Sequence, residues 1–120
     1  MIIGVGIDLV ELERIKELLS DRFLERILSE SEMKEYMNLA HESVKLEFIG
    51  GRFAAKEAIF KAIAEGPGNT YYRDFSILHE ASGKPYVKTD FFKNGEKVSV
   101  SITHTDQYAA AFIVIEEASS

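Results

Sequence analysis

Cysteine is absent from this sequence of 120 residues, and its absence excludes a disulfide scaffold, a thiolate metal site and a cysteine nucleophile. Basic residues are a minority, with 14 Lys and Arg against 20 Asp and Glu, and the net charge of −6 argues against non-specific nucleic-acid binding. Long apolar runs are also missing. The opening MIIGVGID is too short for a secretion signal, and no stretch reaches the length of a membrane span. We therefore expect a cytoplasmic protein.

The overall composition is that of an ordinary globular protein. Hydrophobic residues make up 46% of the chain and charged residues 28%, which is not typical of a disordered or fibrous sequence. A chain of this length predicts one domain, residues 1–120, with a single core that oligomerisation would help to stabilise.

The first half of the chain predicts one strand followed by helices. Residues 2–7 alternate, placing three aliphatic side chains on one face and Gly4, Gly6 and the following Asp8 on the other, which we expect to be open. Apolar residues at helical spacing predict helices from residue 11 to about residue 28. Ser29 and Glu32 fit a capping box for a short helix over 30–39, and a long helix over 43–65 ends before a Gly-Pro pair.

The second half predicts strands. Residues 75–80 and 85–89 indicate a hairpin in which Gly83 is available for a positive φ, and 97–105 and 108–117 indicate two more strands joined by a tight turn. One strand, then helices, then a strand meander is typical of the α+β class, with helices packed on one face of a mainly antiparallel sheet.

Three charges in the long helix, Lys56, Glu57 and Lys61, need an explanation. Glu57 and Lys61 lie four residues apart on one stripe, as in an ordinary exposed ion pair or in a functional site. Gly50 and Gly51 precede them, and glycine inside a helix is unfavourable by about 1 kcal/mol relative to alanine. Close approach of a ligand or another backbone, tight helix packing and a helix break all remain possible explanations.

Asp8 and Glu57 are candidates for a metal site that handles phosphate. Mg²⁺ is typically held by one or two carboxylates together with water and substrate phosphates, and Lys61 would complement the remaining phosphate charge. The alternative for Asp8 is a cap on the helix that follows. His104 is in phase with apolar residues of its strand, so it is either a buried structural histidine or, with Thr105, part of a polar strand end suited to phosphate.

Four segments taken together resemble the holo-[acyl-carrier-protein] synthase family, the small bacterial-type 4'-phosphopantetheinyl transferases. They are GIDLVELERI, GRFAAKEAIFKA, SGKPY and SITHTDQYAAAFIVIE, in the family's order and near its usual spacing. The resemblance implies transfer of phosphopantetheine from coenzyme A to a serine of apo acyl carrier protein, releasing adenosine 3',5'-bisphosphate, in fatty acid biosynthesis. It also implies a homotrimer with active sites between subunits.

The resemblance implies roles for particular residues. Asp8 and Glu57 would bind Mg²⁺, Lys61 would contact the phosphates and stabilise the leaving group, and Glu57 or a water would take the serine proton. The further contacts to coenzyme A that it implies are Arg52, Lys56, Gly83, Lys84, Pro85, His104 and Thr105.

Docking of an acidic carrier protein needs a local basic patch, because the chain itself is acidic. Arg14, Arg22 and Arg26 are the candidates, although acidic residues are interleaved with them. Two other classes of function compete: a non-catalytic trimeric module that binds nucleotide or protein, and a metal-dependent phosphohydrolase.

Overall fold

The computed structural model describes residues 1–63 and 65–118 and confirms the α+β class. The helices are α1 (Leu12–Leu18), α2 (Asp21–Ile27), α3 (Glu30–Met37) and α4 (Glu42–Ala62). The strands are β1 (Ile2–Glu11), β2 (Ser76–His79), β3 (Pro85–Lys88), β4 (Glu96–His104) and β5 (Tyr108–Glu117), and a 3₁₀ turn covers Tyr72–Asp74.

Local signals account for the helix ends. The Ser29 hydroxyl accepts a hydrogen bond from the Glu32 backbone N–H at 3.3 Å, and the Glu32 carboxylate accepts one from the Ser29 N–H at 2.9 Å, which is the predicted capping box. Helix α4 begins at Glu42 and ends at Ala62, whereas the prediction was 43–65. Residue 64 of that predicted span lies outside the described part of the chain.

Gly50 and Gly51 lie inside a continuous α4, so a helix break is not their explanation. A Cβ atom on Gly50 would come within 2.5 Å of the Leu12 side chain, and one on Gly51 within 3.1 Å of the Ile102 side chain. The glycines therefore allow α1 and β4 to pack tightly against α4, and no ligand is needed to account for them.

The strands form two antiparallel sheets, one with the order β1-β5-β4 and one made of the β2-β3 hairpin. The predicted single meander is therefore wrong, because the hairpin is separate and the first strand pairs with the last. Asp8 pairs with Ala111, which pairs in turn with Ile102. Gly83 has a φ of +91° in the hairpin turn, as predicted.

Helix α4 crosses β1 at the two glycines of that strand. A Cβ atom on Gly4 would lie 2.1 Å from the carbonyl oxygen of Ala62, and one on Gly6 would lie 2.0 Å from that of Ala58. Only glycine permits this approach of helix and strand. The face of β1 that was expected to be open is thus covered by α4, and Asp8, on the same face, lies beside the C-terminal half of that helix.

The opposite face of the three-stranded sheet is apolar and exposed. Ile7 and Leu9 of β1 are 66% and 65% exposed, and Phe112, which pairs with Ile7 across β5, is 45% exposed. Val5 continues the same face. A contiguous apolar surface of this kind typically marks an interaction site.

The buried core forms two clusters along α4. One lies between α4 and the sheets and includes Ile59 and Ile113, and the other lies between α4 and the shorter helices and includes Ile27 and Ile49. Within the ranges that the structure describes, no helix is long and apolar enough to cross a membrane.

Candidate functional site

Asp8 and Lys61 form an ion pair where β1 passes beneath α4. The Lys61 ammonium donates to Asp8 Oδ1 at 2.8 Å and to the carbonyl oxygen of Ile7 at 3.1 Å. The Lys61 side chain is 55% exposed, so it remains accessible to a ligand. The hydrogen bond to Asp8 raises the pKa of Lys61, and the ammonium therefore stays charged.

Glu57 lies one turn before Lys61 on α4, and its Oε1 accepts a hydrogen bond from the Tyr72 hydroxyl at 3.0 Å. Burial, with a smaller effect of this bond, raises the pKa of Tyr72 to about 12, so the hydroxyl remains a donor. The negative charge of Asp8 also raises the pKa of Tyr72, and the negative charge of Glu57 raises the pKa of Lys61. The structure thus brings Asp8, Glu57 and Lys61 into one site together with Tyr72.

Tyr72 is the member of this site that the sequence did not reveal. It follows Glu57 by 15 residues, beyond the end of α4, and no motif connects the two. Its ring stacks on Phe60, with centroids 4.7 Å apart and planes at 12°. Phe60, an aromatic residue of α4, therefore holds Tyr72 against the helix.

The two carboxylates suit a hard divalent cation. Within the described residues, Asp8 Oδ2 and Glu57 Oε2 make no hydrogen bond, so each carboxylate offers one free oxygen. Oxygen donors are the ligands that Mg²⁺ takes, with water and substrate phosphates completing the shell. Residues 1–63 and 65–118 contain no group of three or more His, Cys, Asp or Glu that could hold a metal ion. A cation here would therefore depend on ligands from the substrate.

Lys56 and Arg52 are directed into the protein. Lys56 is fully buried and donates to the carbonyl oxygen of Ile27 at 2.5 Å and to the Glu32 carboxylate. Arg52 is 6% exposed, donates to the carbonyl oxygen of Ile77 at 3.2 Å and lies 3.9 Å from Glu32. The prediction that Arg52 and Lys56 contact phosphate is wrong for this chain, because their charges are neutralised inside the fold.

A helical signal for this burial was present in the sequence. Ile49, Arg52, Lys56 and Ile59 follow the spacing three, four, three, which places them on one stripe of α4. Ile49 and Ile59 are fully buried. Their phase predicts that the two basic residues between them also face the core. The sequence predicts Glu32 only as a capping residue, whereas in the structure it is also the acidic partner of Arg52 and Lys56.

His104 is distant from Glu57 within one chain. Its Nδ1 lies 3.3 Å from Oε2 of Glu47, which precedes Glu57 by ten residues, or about 15 Å along α4. The His104 side chain is 49% exposed, so its interpretation as a buried structural histidine is wrong. A contact between His104 and Glu57 of the same chain is therefore excluded by distance.

Thr105 and the turn at residues 83–85 lie at exposed ends of strands. Thr105 Oγ1 accepts from the backbone N–H groups of Gln107 and Tyr108 at 3.2 and 3.0 Å, which closes the turn between β4 and β5. Lys84 is exposed in the hairpin turn. The predicted contacts of Thr105, Gly83, Lys84 and Pro85 with coenzyme A stay predictions.

The three candidate docking arginines are all exposed. Arg14 lies on α1 and forms a surface pair with an acidic neighbour at 3.6 Å, which contributes little. Arg22 and Arg26 are four residues apart on α2, and Arg26 is close enough to Tyr72 for its positive charge to lower the pKa of that residue. The end of α2 therefore adjoins the site of Asp8 and Glu57.

The fold and this site define a member of the 4'-phosphopantetheinyl transferase superfamily, whose sequence profile matches residues 4–113. A holo-[acyl-carrier-protein] synthase of Acholeplasma laidlawii is 46% identical over 97% of this chain and 98% of its own length. The synthase of Bacillus subtilis is also 46% identical, over the whole of both chains. The chain belongs to the holo-[acyl-carrier-protein] synthase family.

A solved structure agrees with this assignment. The crystal structure of a holo-(acyl-carrier-protein) synthase from Bacillus anthracis, in complex with CoA (3',5'-ADP), matches this fold with a TM-score of 0.86. The two chains are 41% identical, and the match covers 99% of each.

Proposed function

We propose that this chain transfers 4'-phosphopantetheine from coenzyme A to a serine hydroxyl of apo acyl carrier protein. The observation that carries the proposal is the meeting of Asp8, Glu57 and Lys61 in a chain 46% identical to holo-[acyl-carrier-protein] synthases. The serine oxygen forms a bond to the phosphorus of the pantetheine arm and loses its proton. The bond from that phosphorus to adenosine 3',5'-bisphosphate breaks.

Lys61 is placed to bind the pyrophosphate and stabilise the leaving group. Asp8 holds its ammonium at the surface, so an incoming pyrophosphate meets a positioned positive charge. Negative charge grows on the departing bisphosphate as its bond breaks, and a nearby ammonium stabilises that charge more strongly than it stabilises the ground state.

Asp8 and Glu57 are the proposed ligands of Mg²⁺. When bound, the cation neutralises pyrophosphate charge. Tyr72 occupies Oε1 of Glu57, so Oε2 is the atom that either takes the serine proton or binds the cation while a water takes that proton. Both routes use the same carboxylate, and replacing it by an amide removes the proton acceptor and the negative charge that attracts the cation.

We also propose a homotrimer with shared sites. Its support is the exposed apolar face around Ile7, Leu9 and Phe112, which a cyclic assembly would bury in every subunit. His104 is about 15 Å along α4 from Glu57 of its own chain, so it would serve a neighbour's site. Gly83, Lys84, Pro85 and Thr105 are the remaining proposed contacts to coenzyme A.

The proposed carrier-protein surface is formed by Arg14, Arg22 and Arg26. All three are exposed, and Arg26 adjoins the site, so an acidic partner docked there would bring its serine towards Glu57. We also propose a cytoplasmic location for the reaction, and a role in fatty acid biosynthesis, the latter as the resemblance implies.

The proposal is tested by measuring the release of adenosine 3',5'-bisphosphate by chromatography, in reactions run with and without apo acyl carrier protein. Release should require the carrier protein, and Glu57→Gln should reduce the rate at least about 100-fold while the melting temperature changes little. Glu42→Gln, in the exposed first turn of the same helix, is the matched control and should act like the wild type. Release into water without carrier protein would favour a phosphohydrolase. Binding without any release would favour the non-catalytic module.

A further inference from the structure

We propose that Tyr72 is a positioning residue that holds the Glu57 carboxylate in the orientation needed to bind a divalent cation. The inference rests on the proposed function and adds a residue that acts through Glu57. The Tyr72 hydroxyl donates to Glu57 Oε1 at 3.0 Å, while Oε2 of Glu57 makes no hydrogen bond within the described ranges. One oxygen is therefore held and the other is left for the cation.

The ring of Tyr72 packs against two phenylalanine rings. Phe60 stacks on it at 4.7 Å with nearly parallel planes, and Phe53 packs against it at 6.0 Å with planes tilted by 46°. Both phenylalanines lie on α4, the helix that also carries Glu57. Donor and acceptor are thus held by one rigid element, and the hydroxyl has little freedom to leave the carboxylate.

The backbone at Tyr72 is fixed as well. The Tyr71 N–H donates to Asp74 Oδ2 at 2.8 Å, and the Phe75 N–H donates to the Tyr72 carbonyl oxygen at 3.2 Å. Phe75 is fully buried and anchors the end of the turn in the core. The position of the hydroxyl is therefore set by the fold before any ligand arrives.

Lys61 is a competing partner for Glu57, and the Tyr72 hydroxyl prevents the two from pairing. Lys61 lies four residues later on the same helix, where a Glu-to-Lys pair forms readily. In the described structure Lys61 instead pairs with Asp8 at 2.8 Å, and Glu57 is held by Tyr72. Without the hydroxyl, Glu57 is free to rotate towards Lys61, which would withdraw both groups from a cation and a phosphate. Hydrogen-bond donors behind metal ligands typically change metal affinity by 10–100-fold.

Calorimetric titration of Mg²⁺ into protein saturated with coenzyme A, without carrier protein, tests the inference. Tyr72→Phe keeps the ring and removes only the hydroxyl, and it should raise the Kd for Mg²⁺ by about 10–100-fold. Tyr71→Phe is the matched control, since Tyr71 is the neighbouring tyrosine and is 61% exposed, and its Kd should stay within about twofold of the wild type. The KM for coenzyme A at saturating Mg²⁺ should not change in either variant, which a general loss of structure would not reproduce.

Phe60→Leu provides a second variant in case Tyr72→Phe folds poorly. It leaves the hydroxyl in place but removes the stacked ring, and it should weaken Mg²⁺ binding by a smaller factor. Equal Mg²⁺ affinity in Tyr72→Phe and wild type, with the wild type active in transfer, would overturn the positioning role alone. A wild-type protein that neither transfers phosphopantetheine nor binds Mg²⁺ would overturn the proposed function and this inference together.

Discussion

Glu32→Gln tests most directly whether Lys56 of α4 is a buried structural charge. Glu32 and Lys56 are both fully buried and in direct contact, and the Ile77 N–H also donates to Glu32, at 2.9 Å. Burial lowers the pKa of Lys56, and the charge of Glu32 partly offsets that effect. The amide keeps the size of Glu32 and removes its charge, which leaves the Lys56 ammonium uncompensated.

The expected cost follows from this burial. Removing one partner of a buried ion pair destabilises a protein by about 3–5 kcal/mol, whereas replacing the whole pair by neutral groups of similar volume is often close to neutral. Glu32→Gln should therefore remove a large part of a total stability of about 5–15 kcal/mol. Adding Lys56→Met to Glu32→Gln should restore part of the loss, since the buried Lys56 charge is then removed, while Arg52 loses Glu32 and keeps its ion pair with Glu35 at 3.6 Å.

Urea unfolding followed by circular dichroism, at one fixed protein concentration, measures these free energies. A loss below about 1 kcal/mol for Glu32→Gln would refute the reasoning. A second readout is the KM for coenzyme A. It should stay within about twofold of wild type in folded Lys56→Met, because the ammonium lies inside the protein. A large rise in the KM for coenzyme A without loss of stability would instead support the predicted contact between Lys56 and phosphate.

Three further predictions concern other parts of the molecule. Gly6→Ala should lose about 3 kcal/mol in urea unfolding, because its Cβ would lie 2.0 Å from the Ala58 carbonyl oxygen; a stability equal to wild type would contradict the close crossing. Phe112→Glu should lower the mass measured by light scattering to that of a monomer, whereas Val44→Glu, at another exposed apolar position, should leave the assembly intact. Arg14→Glu should raise the KM for carrier protein roughly fivefold and leave the KM for coenzyme A nearly unchanged. Equal effects on both KM values would remove Arg14 from the docking surface.

Local chemistry made most elements predictable. The capping box at Ser29 and the strand over 108–117 depend on neighbours close in the sequence, and both follow the prediction. The expected exposure of the β1 faces did not follow, because the glycine face, expected to be open, is covered by α4. In the fold glycine is what allows a helix backbone to approach the strand, and that approach brings Asp8 to Lys61.

The candidate site depended on contacts that no local pattern contains. Lys56 and its partner Glu32 are 24 residues apart, and Tyr72 reaches back 15 residues to Glu57. Adjacent Lys56 and Glu57 differ by about 100° around α4, so one enters the core and the other faces the site. Sequence resemblance named both residues for the site, whereas the helical phase of Lys56 with buried Ile49 and Ile59, and its ion pair with Glu32 of α3, mark Lys56 as a structural charge.

The intact mass of apo acyl carrier protein, after incubation with this protein, coenzyme A and Mg²⁺, is the most direct test of the central claim. We expect a gain of one phosphopantetheine group, absent in a parallel sample with excess chelator. No gain with several apo carrier proteins, from a chain shown to be folded and to bind coenzyme A, would contradict the proposed transfer.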